Sequence, residues 1–142
     1  MSTKHIGFSG TREGMTKQQS RKVSALICKL EEGSQFHHGD CVGADAAAHE
    51  VAREAGLKIA LHPPKNPQYR AFCDCDILYG DEDYIERNHR IVDMTDWLIA
   101  APLTMFEERR SGTWATIRYA RTKGKPIIIV LPNGSIIKEP YP

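Results

Sequence analysis

The chain has 142 residues, 41% of them hydrophobic, which is enough for one domain with a core and too little for two of ordinary size. A net charge of +1 argues against a protein that holds duplex DNA through a large basic excess. No apolar run approaches the roughly 20 residues of a membrane span, and no signal-peptide core precedes the first glycines. We therefore expect a single-domain cytoplasmic protein without membrane contact.

The four cysteines do not have the spacing of a metal site. Cys73 and Cys75 form a C-x-C pair, but Cys28 and Cys41 do not supply the second pair that a tetrahedral zinc site needs. Thiols that stay reduced in a cytosol are the simpler interpretation. The sequence therefore predicts neither a metal nor a cofactor.

Short apolar runs alternate with helical patterns from the start of the chain. The first run, His5 to Phe8, is followed by the capping box Thr16-Lys-Gln-Gln19, which marks the start of a helix. Apolar residues at helical spacing continue this helix: Val23, Leu26, Ile27 and Leu30. Gly33 is the expected end of the unit.

The second unit predicts a strand from Gln35 to His38 and a helix that runs through Ala47 to Ala55, whose small residues allow close packing on a sheet. A third strand, Leu57 to Leu61, ends before Pro63 and Pro64, because proline cannot continue a central strand. Residues 65–82 are rich in turn-forming residues and predict a long loop of the kind that often carries function.

The last third predicts a helix from Tyr84 to Met94, a strand from Trp97 to Ala101, a helix from Gly112 to Lys123 and a strand from Lys125 to Leu131. Residues 132–142 are expected to form a C-terminal tail to a core of about residues 4–131.

The final apolar run lacks alternation, as in strands buried on both faces of a parallel sheet. Five successive strand–helix units predict an α/β fold with three layers: a doubly wound, mainly parallel, five-stranded sheet of the Rossmann-like type in a single domain.

Three loops of this predicted sheet have a similar composition. Ser9-Gly-Thr-Arg12, Gly39-Asp-Cys-Val-Gly-Ala-Asp45 and Arg109-Arg-Ser-Gly-Thr113 combine glycine with hydroxyl, carboxyl or guanidinium groups. Loops at the carboxyl ends of parallel strands meet at one edge, and their helix-start amides favour a phosphate or a carboxylate. The sequence therefore predicts a small ligand that bears phosphate. Neither G-x-G-x-x-G nor the P-loop signature is present, which excludes ordinary dehydrogenases and P-loop NTPases.

Several side chains permit two interpretations. Asp45 and His49, at i and i+4 on one helix face, fit a metal or proton relay, and equally a helix-start carboxylate beside a structural histidine. Asn88 belongs either to a solvated helix face or to a buried site where its amide needs partners. Trp114 either packs in the core or stacks on a base.

Four motifs resemble those of DNA-processing protein A (DprA/Smf). They are Phe8-Ser-Gly-Thr-Arg12, Gly39 to His49 (GDCVGADAAAH), Tyr84 to Val92 (YIERNHRIV) and Ser111 to Ala120 (SGTWATIRYA). The order of the four motifs, over about residues 5–131, is similar to that in the Rossmann-like SLOG superfamily, which the chain therefore resembles. The compact form is most similar to its small YspA/YpsA-related members, and more distantly to the Lonely-Guy (LOG) phosphoribohydrolases.

This resemblance implies a binding module, either a sensor or a sequestering protein, for a nucleotide or nucleotide-derived ligand at the C-terminal edge of the sheet. It also implies a homodimer. The residues that it places at the ligand are Ser9, Gly10, Thr11, Arg12, Gly39, Asp40, Gly43, Asp45, Arg87, Asn88, Ser111, Gly112 and Thr113.

Two alternative functions follow from the same resemblance. A nucleotide N-glycosidase of the Lonely-Guy type uses a glutamate at the position where this chain has Thr116, whose hydroxyl cannot replace a carboxylate as general acid or base. The other alternative is single-stranded DNA, which needs a basic groove with stacking aromatics. Seven arginines offer such a patch: Arg12, Arg87, Arg90, Arg109, Arg110, Arg118 and Arg121.

Overall fold

A seven-stranded sheet with four helices is formed by residues 4–140, the part of the chain that the computed structural model describes. The strands are β1 (His5–Gly10), β2 (Gln35–His38), β3 (Lys58–Leu61), β4 (Ile77–Leu78), β5 (Trp97–Ala101), β6 (Ile127–Val130) and β7 (Ile136–Glu139). The helices are α1 (Lys17–Cys28), α2 (Ala44–Glu54), α3 (Tyr84–Asp93) and α4 (Gly112–Thr122).

The strands lie in the order β4-β3-β2-β1-β5-β6-β7, and each neighbouring pair is parallel except β6 and β7. From β1 the chain steps outward to β4, then returns to the other side of β1 and continues outward from β5. This doubly wound order confirms the predicted Rossmann-like fold. It also makes the carboxyl ends of β1 and β5 the switch point, where such sheets bind ligands.

The predicted number of strands was wrong: the sheet has seven strands and not five. β4 is a two-residue strand inside the predicted long loop, where Ala60 pairs with Ile77. β7 forms within the predicted C-terminal tail and pairs antiparallel with β6, so that Val130 faces Ile136. Both additional strands lie at the edges of the sheet, and the central five are those predicted.

Each face of the sheet is covered by two helices. On one face, the buried alanines of α2 pack with Phe8, Phe36 and Ile59. On the other, residues of α3 and α4 such as Ile117 pack on Leu98. The predicted capping box at the start of α1 is confirmed. None of the helices within residues 4–140 is both long and apolar enough to cross a bilayer.

The segment between β3 and α3 is attached to the rest of the fold. Ala71 N donates to Asp40 O at 2.7 Å, and Asp76 N donates to Ile59 O at 2.9 Å. These bonds hold the segment against the loop after β2 and against β3.

Candidate functional site

A cleft of about 790 Å³ opens at the carboxyl edge of β1, β2 and β5. Its walls come from the loops that follow β1, β2, β3 and β5, and from the first turns of α3 and α4. A volume of this size is typical of sites for small molecules and cofactors. Fold and cleft together define a Rossmann-like protein with a ligand-sized site at its switch point.

The end of β1 and the loop after it bring four of the predicted site residues to the cleft: Ser9, Gly10, Thr11 and Arg12. Gly10 has no room for a side chain, because a Cβ there would lie 2.5 Å from the Cβ of Ala44. Helix α2 therefore starts directly against β1.

Arg12 crosses the cleft rim. Its guanidinium carbon lies 4.0 Å from the ring centroid of Tyr69, a stacking contact that orients a charged fork otherwise exposed to solvent. Tyr69 lies in the long segment before α3, so this contact joins two walls of the cleft.

Arg87 is a charged side chain built into the floor of the cleft. It is 7% exposed, and its Nη1 donates to Gly39 O at 2.7 Å and to His62 O at 3.3 Å. Its Nε donates to Asn88 Oδ1 at 2.7 Å, so the amide of Asn88 has a partner, and both side chains line the cleft. A Cβ at Gly39 would collide with this guanidinium, which explains the glycine there.

Asp45, in the first turn of α2, is 5% exposed and lines the cleft. Its Oδ2 accepts hydrogen bonds from Gly39 N at 3.1 Å and Cys41 N at 3.3 Å, whereas its buried Oδ1 has no partner within residues 4–140. Burial raises the pKa of this carboxyl to about 6, although Arg87 and the two amides oppose the shift. The charge of Asp45 therefore changes close to neutral pH.

Helix α4 presents its N-terminus to the cleft through Ser111, Gly112 and Thr113. Ser111 Oγ caps the helix by accepting from Trp114 N at 3.1 Å. A Cβ at Gly112 would meet no atom of residues 4–140 within 4 Å, so this turn is open on its outer side. The positive end of the helix dipole favours an anion here.

Three predicted residues do not line the cleft. Asp40, at φ +52°, is fully buried and accepts from Arg70 Nε at 2.8 Å, which fixes the long segment. Gly43 forms the turn into α2. Trp114 is 3% exposed and donates its indole N–H to Thr104 Oγ1 at 3.0 Å. Of its two interpretations, this arrangement corresponds to packing in the core.

The cleft also contains residues that the sequence did not predict as ligand contacts. Most follow β3 or β5, and they are Glu13, Cys41, Pro64, Lys65, Asn66, Tyr69, Asp83, Tyr84, Leu103, Thr104, Glu108 and Arg110. For the residues of segment 65–82, the signal in the sequence was the length of the loop. This length predicted a functional segment but no particular residues.

The i, i+4 pair Asp45 and His49 does not form one site. Asp45 turns to the β2–α2 loop, whereas His49 bonds His38 through Nδ1 at 3.0 Å and Asp74 through Nε2 at 2.8 Å. Because His49 has these other partners, the structure does not bring the two side chains together in the cleft.

Thr116 does not present a reactive group to the cleft. It is 2% exposed, and its hydroxyl donates to Gly112 O at 2.9 Å within α4. The chain therefore has no carboxylate at this position and a hydroxyl engaged by its own helix.

The predicted basic patch contains internal ion pairs. Arg90 lies 3.0 Å from Glu82, and Arg118 and Arg121 both pair with Glu107. These carboxylates lower the positive charge available to the backbone of a nucleic-acid strand.

A comparison with protein-family models found no match to the chain. No curated protein matches it either.

Solved structures share its fold. The molybdenum cofactor binding protein from the phototrophic bacterium Rippkaea orientalis is 24% identical, with a TM-score of 0.71 over 92% of this chain and 78% of that one. The molybdenum cofactor carrier protein from Chlamydomonas reinhardtii is 21% identical, with a TM-score of 0.64 over 90% and 76%.

DNA processing protein A from Streptococcus pneumoniae is 20% identical, with a TM-score of 0.70 over 89% of this chain and 50% of that one. This chain thus spans about half of that protein. The likeness to these solved structures confirms the predicted Rossmann-like fold.

Proposed function

We propose that the chain binds a nucleotide or a nucleotide-derived small molecule in the cleft and acts as a sensor or sequestering module. The observation that carries this proposal is Arg87: a buried guanidinium that lines the cleft and is held by two backbone carbonyls. A charged fork is costly to bury, and a phosphate is the ligand group that suits it best.

The phosphate is proposed to lie between Arg87, Arg12 and the first turn of α4. Arg12 and the open amide side of Gly112 lie on the walls of the same cleft, so three positive elements converge. Arginine and a helix N-terminus are the usual partners of phosphate groups in proteins.

The rest of the cleft suits a planar heterocycle. Tyr69, Tyr84 and Leu103 offer apolar surface for ring stacking, while Asp83 and Glu108 offer acceptors for ring N–H or sugar hydroxyl groups. The acidic groups also argue against a purely polyanionic ligand.

The molybdenum cofactor belongs among the compounds to test, since two structural neighbours are described as binding or carrying it. Single-stranded DNA and nucleotide cleavage rank lower. The internal ion pairs weaken a basic groove, and Thr116 supplies no general acid or base.

A thermal-shift panel tests the ligand class. It contains mono-, di- and cyclic nucleotides, ADP-ribose-type compounds, the molybdenum cofactor and a short single-stranded DNA. We expect one small ligand to raise Tm, since a hundredfold excess over Kd stabilises the folded state by about 2.7 kcal/mol. A response to the oligonucleotide alone would contradict the proposal, and release of free base from a nucleoside monophosphate would establish an enzyme.

Replacing Arg12 with alanine removes one set of charge-assisted hydrogen bonds, worth about 2–3 kcal/mol. Binding of the ligand found in the panel should therefore weaken by about 30- to 100-fold. Gly112→Asp should abolish binding, because its carboxylate repels the phosphate at the helix start. Isothermal titration calorimetry measures both. Arg21→Ala, an exposed arginine on α1, is the matched control and should bind normally. Unchanged affinity in Arg12→Ala and Gly112→Asp would locate the site elsewhere.

The pH dependence of affinity tests the role of Asp45. Because burial raises its pKa to about 6, this carboxyl is ionised at higher pH and then repels a bound phosphate. Affinity should therefore increase as the pH falls from about 7.5 to about 6. Asp45→Asn keeps the shape and removes the charge, so its affinity should exceed that of the unmodified chain at the upper pH and vary less. Identical pH profiles of affinity for the two chains would show that the charge of Asp45 does not act on the bound ligand.

A further inference from the structure

Three side chains from three separate elements meet beside the β2–α2 loop: His38 at the end of β2, His49 in α2 and Cys73 in the segment before α3. One ligand atom from each lies within 4.8 Å of the other two. Two imidazoles and a thiol are the donor set that zinc-class ions prefer. We propose that His38, His49 and Cys73 form a binding site for a divalent transition-metal ion of the zinc class.

The two histidines are oriented for ligation. His49 Nε2 lies 2.8 Å from Asp74 Oδ1, which fixes the ring and leaves Nδ1 directed at His38 Nε2, 3.0 Å away. A carboxylate on the outer nitrogen of a histidine is the usual support of a metal-bound imidazole. Both rings are buried, so their orientation is set by packing as well as by hydrogen bonds.

The hydrogen bonds define which protons an ion must displace. Asp40 N donates to His38 Nδ1 at 3.0 Å, so neutral His38 carries its proton on Nε2 and donates it to His49 Nδ1. An ion between these two nitrogens needs the lone pair of His38 Nε2, so the His38 proton moves to Nδ1 and the hydrogen bond from Asp40 N is given up. Cys73 binds as a thiolate, so one ion enters and one proton leaves, with no change of oxidation state.

The local charges partly support a cation here. Burial, and then the Asp40 carboxylate that accepts from Cys73 N at 2.9 Å, raise the pKa of the Cys73 thiol to about 12, so the thiol is protonated without an ion. A metal bond deprotonates such a thiol outright. The positive charges that face His38 are Arg53 and Arg87, and Arg53 is paired with two carboxylates, Asp74 and Asp76.

Access to the site is through its third ligand. Cys73 is half-buried, and the neighbouring Asp74 side chain is 74% exposed. An ion can therefore reach the thiol from solvent and still be enclosed by the two buried imidazoles. A fourth position on a tetrahedral ion is left for water or another small ligand.

Cobalt(II) is the probe for this site, since a thiolate ligand produces a charge-transfer band that histidine alone does not. The reduced full chain should bind one Co²⁺ with this band, and Zn²⁺ should displace it. The band should vanish in Cys73→Ser and persist in the matched control Cys75→Ser. Asp74→Asn should weaken Zn²⁺ binding about tenfold.

Proton release gives a second, independent measurement. Titration of the weakly buffered chain with Zn²⁺ should release about one proton per ion near neutral pH, from the Cys73 thiol. Circular dichroism confirms that each variant is folded. No thiolate band, a band that survives in Cys73→Ser, or no proton release would overturn the proposal. Nucleotide binding in the cleft is measured separately, so either result leaves the other intact.

Discussion

Acidification should unfold this protein steeply between about pH 6.5 and pH 4. Three buried histidines stay neutral in the folded chain: burial lowers the pKa of His37 from 6.5 to about 4, of His38 to about 3 and of His62 to about 2. Neighbouring rings and, for His38 and His62, nearby arginines lower these pKa values further. The unfolded chain takes up protons that the folded chain rejects.

Hydrogen bonds explain why these rings reject a proton. Arg90 Nε donates to His62 Nδ1, His62 Nε2 then donates to His37 Nδ1, and His37 Nε2 to His5 Nδ1, each at 2.9 Å. Every inner ring thus accepts at one nitrogen and donates at the other. A further proton on His37 or His62 would replace an acceptor with a donor and oppose the donor that faces it.

The sign of the effect follows from the direction of the shifts. A lowered histidine pKa leaves stability complete above about pH 6.5 and removes it as the pH falls. Asp45 acts in the opposite direction: its pKa is raised from 3.8 to about 6, so the folded chain takes up that proton first. Between about pH 6 and 4 the net uptake on unfolding is about two protons, or about 3 kcal/mol per pH unit.

Urea unfolding at a series of pH values from about 7.5 to 5 measures this slope. His37→Gln should reduce this slope by the contribution of about one proton, whatever the effect of the substitution on stability at neutral pH. His89→Gln is the control, because the His89 ring is stacked on Tyr119 and lies outside the chain of hydrogen bonds from Arg90 to His5. This variant should leave the slope unchanged. Stability that is constant from about pH 7.5 to 5 would contradict the assignment of neutral buried rings.

Periodicity was sufficient to predict the central sheet and its helices. Apolar stripes and the capping box marked α1, and continuous apolar runs marked β5 and β6. The strand β7 had a signal that the prediction did not use: Asn133-Gly134 is a typical hairpin turn, and Leu131 N donates to Ser135 O beside it. β4 had none, because two residues cannot show a period.

Most of the predicted site residues lie on loops, and the position of these loops follows from the order of the strands. The glycine turns at Gly10, Gly39 and Gly112 could be located on one sheet edge without coordinates. The contribution of Tyr69 could not, because the path of its segment depends on distant bonds such as Arg70 to Asp40. The proximity of His38, His49 and Cys73 is nonlocal for the same reason, and their spacing matches no metal motif.

Replacing Gly43 with alanine should be among the most damaging single changes in this chain. Gly43 has φ +91° and ψ −126°, a region open to glycine alone, and its missing Cβ would overlap Arg12 O and lie 2.8 Å from Thr11 O. The backbone conformation costs about 1–2 kcal/mol and the overlap about 1–3 kcal/mol more. We expect a loss of about 3–4 kcal/mol in the free energy of unfolding.

Gly14→Ala is the matched control for this substitution. Gly14 has a nearly equal φ of +93°, but a Cβ there would meet no atom of the described residues within 4 Å, so Gly14→Ala should lose only about 1 kcal/mol. The difference between the two variants measures the contact of the β1–α1 loop with the start of α2, where Ala44 N donates to Thr11 O at 2.9 Å. Because this contact joins two walls of the cleft, Gly43→Ala should also weaken ligand binding under conditions where it remains folded. Equal stability losses in the two variants would show that these walls are not in close contact in solution.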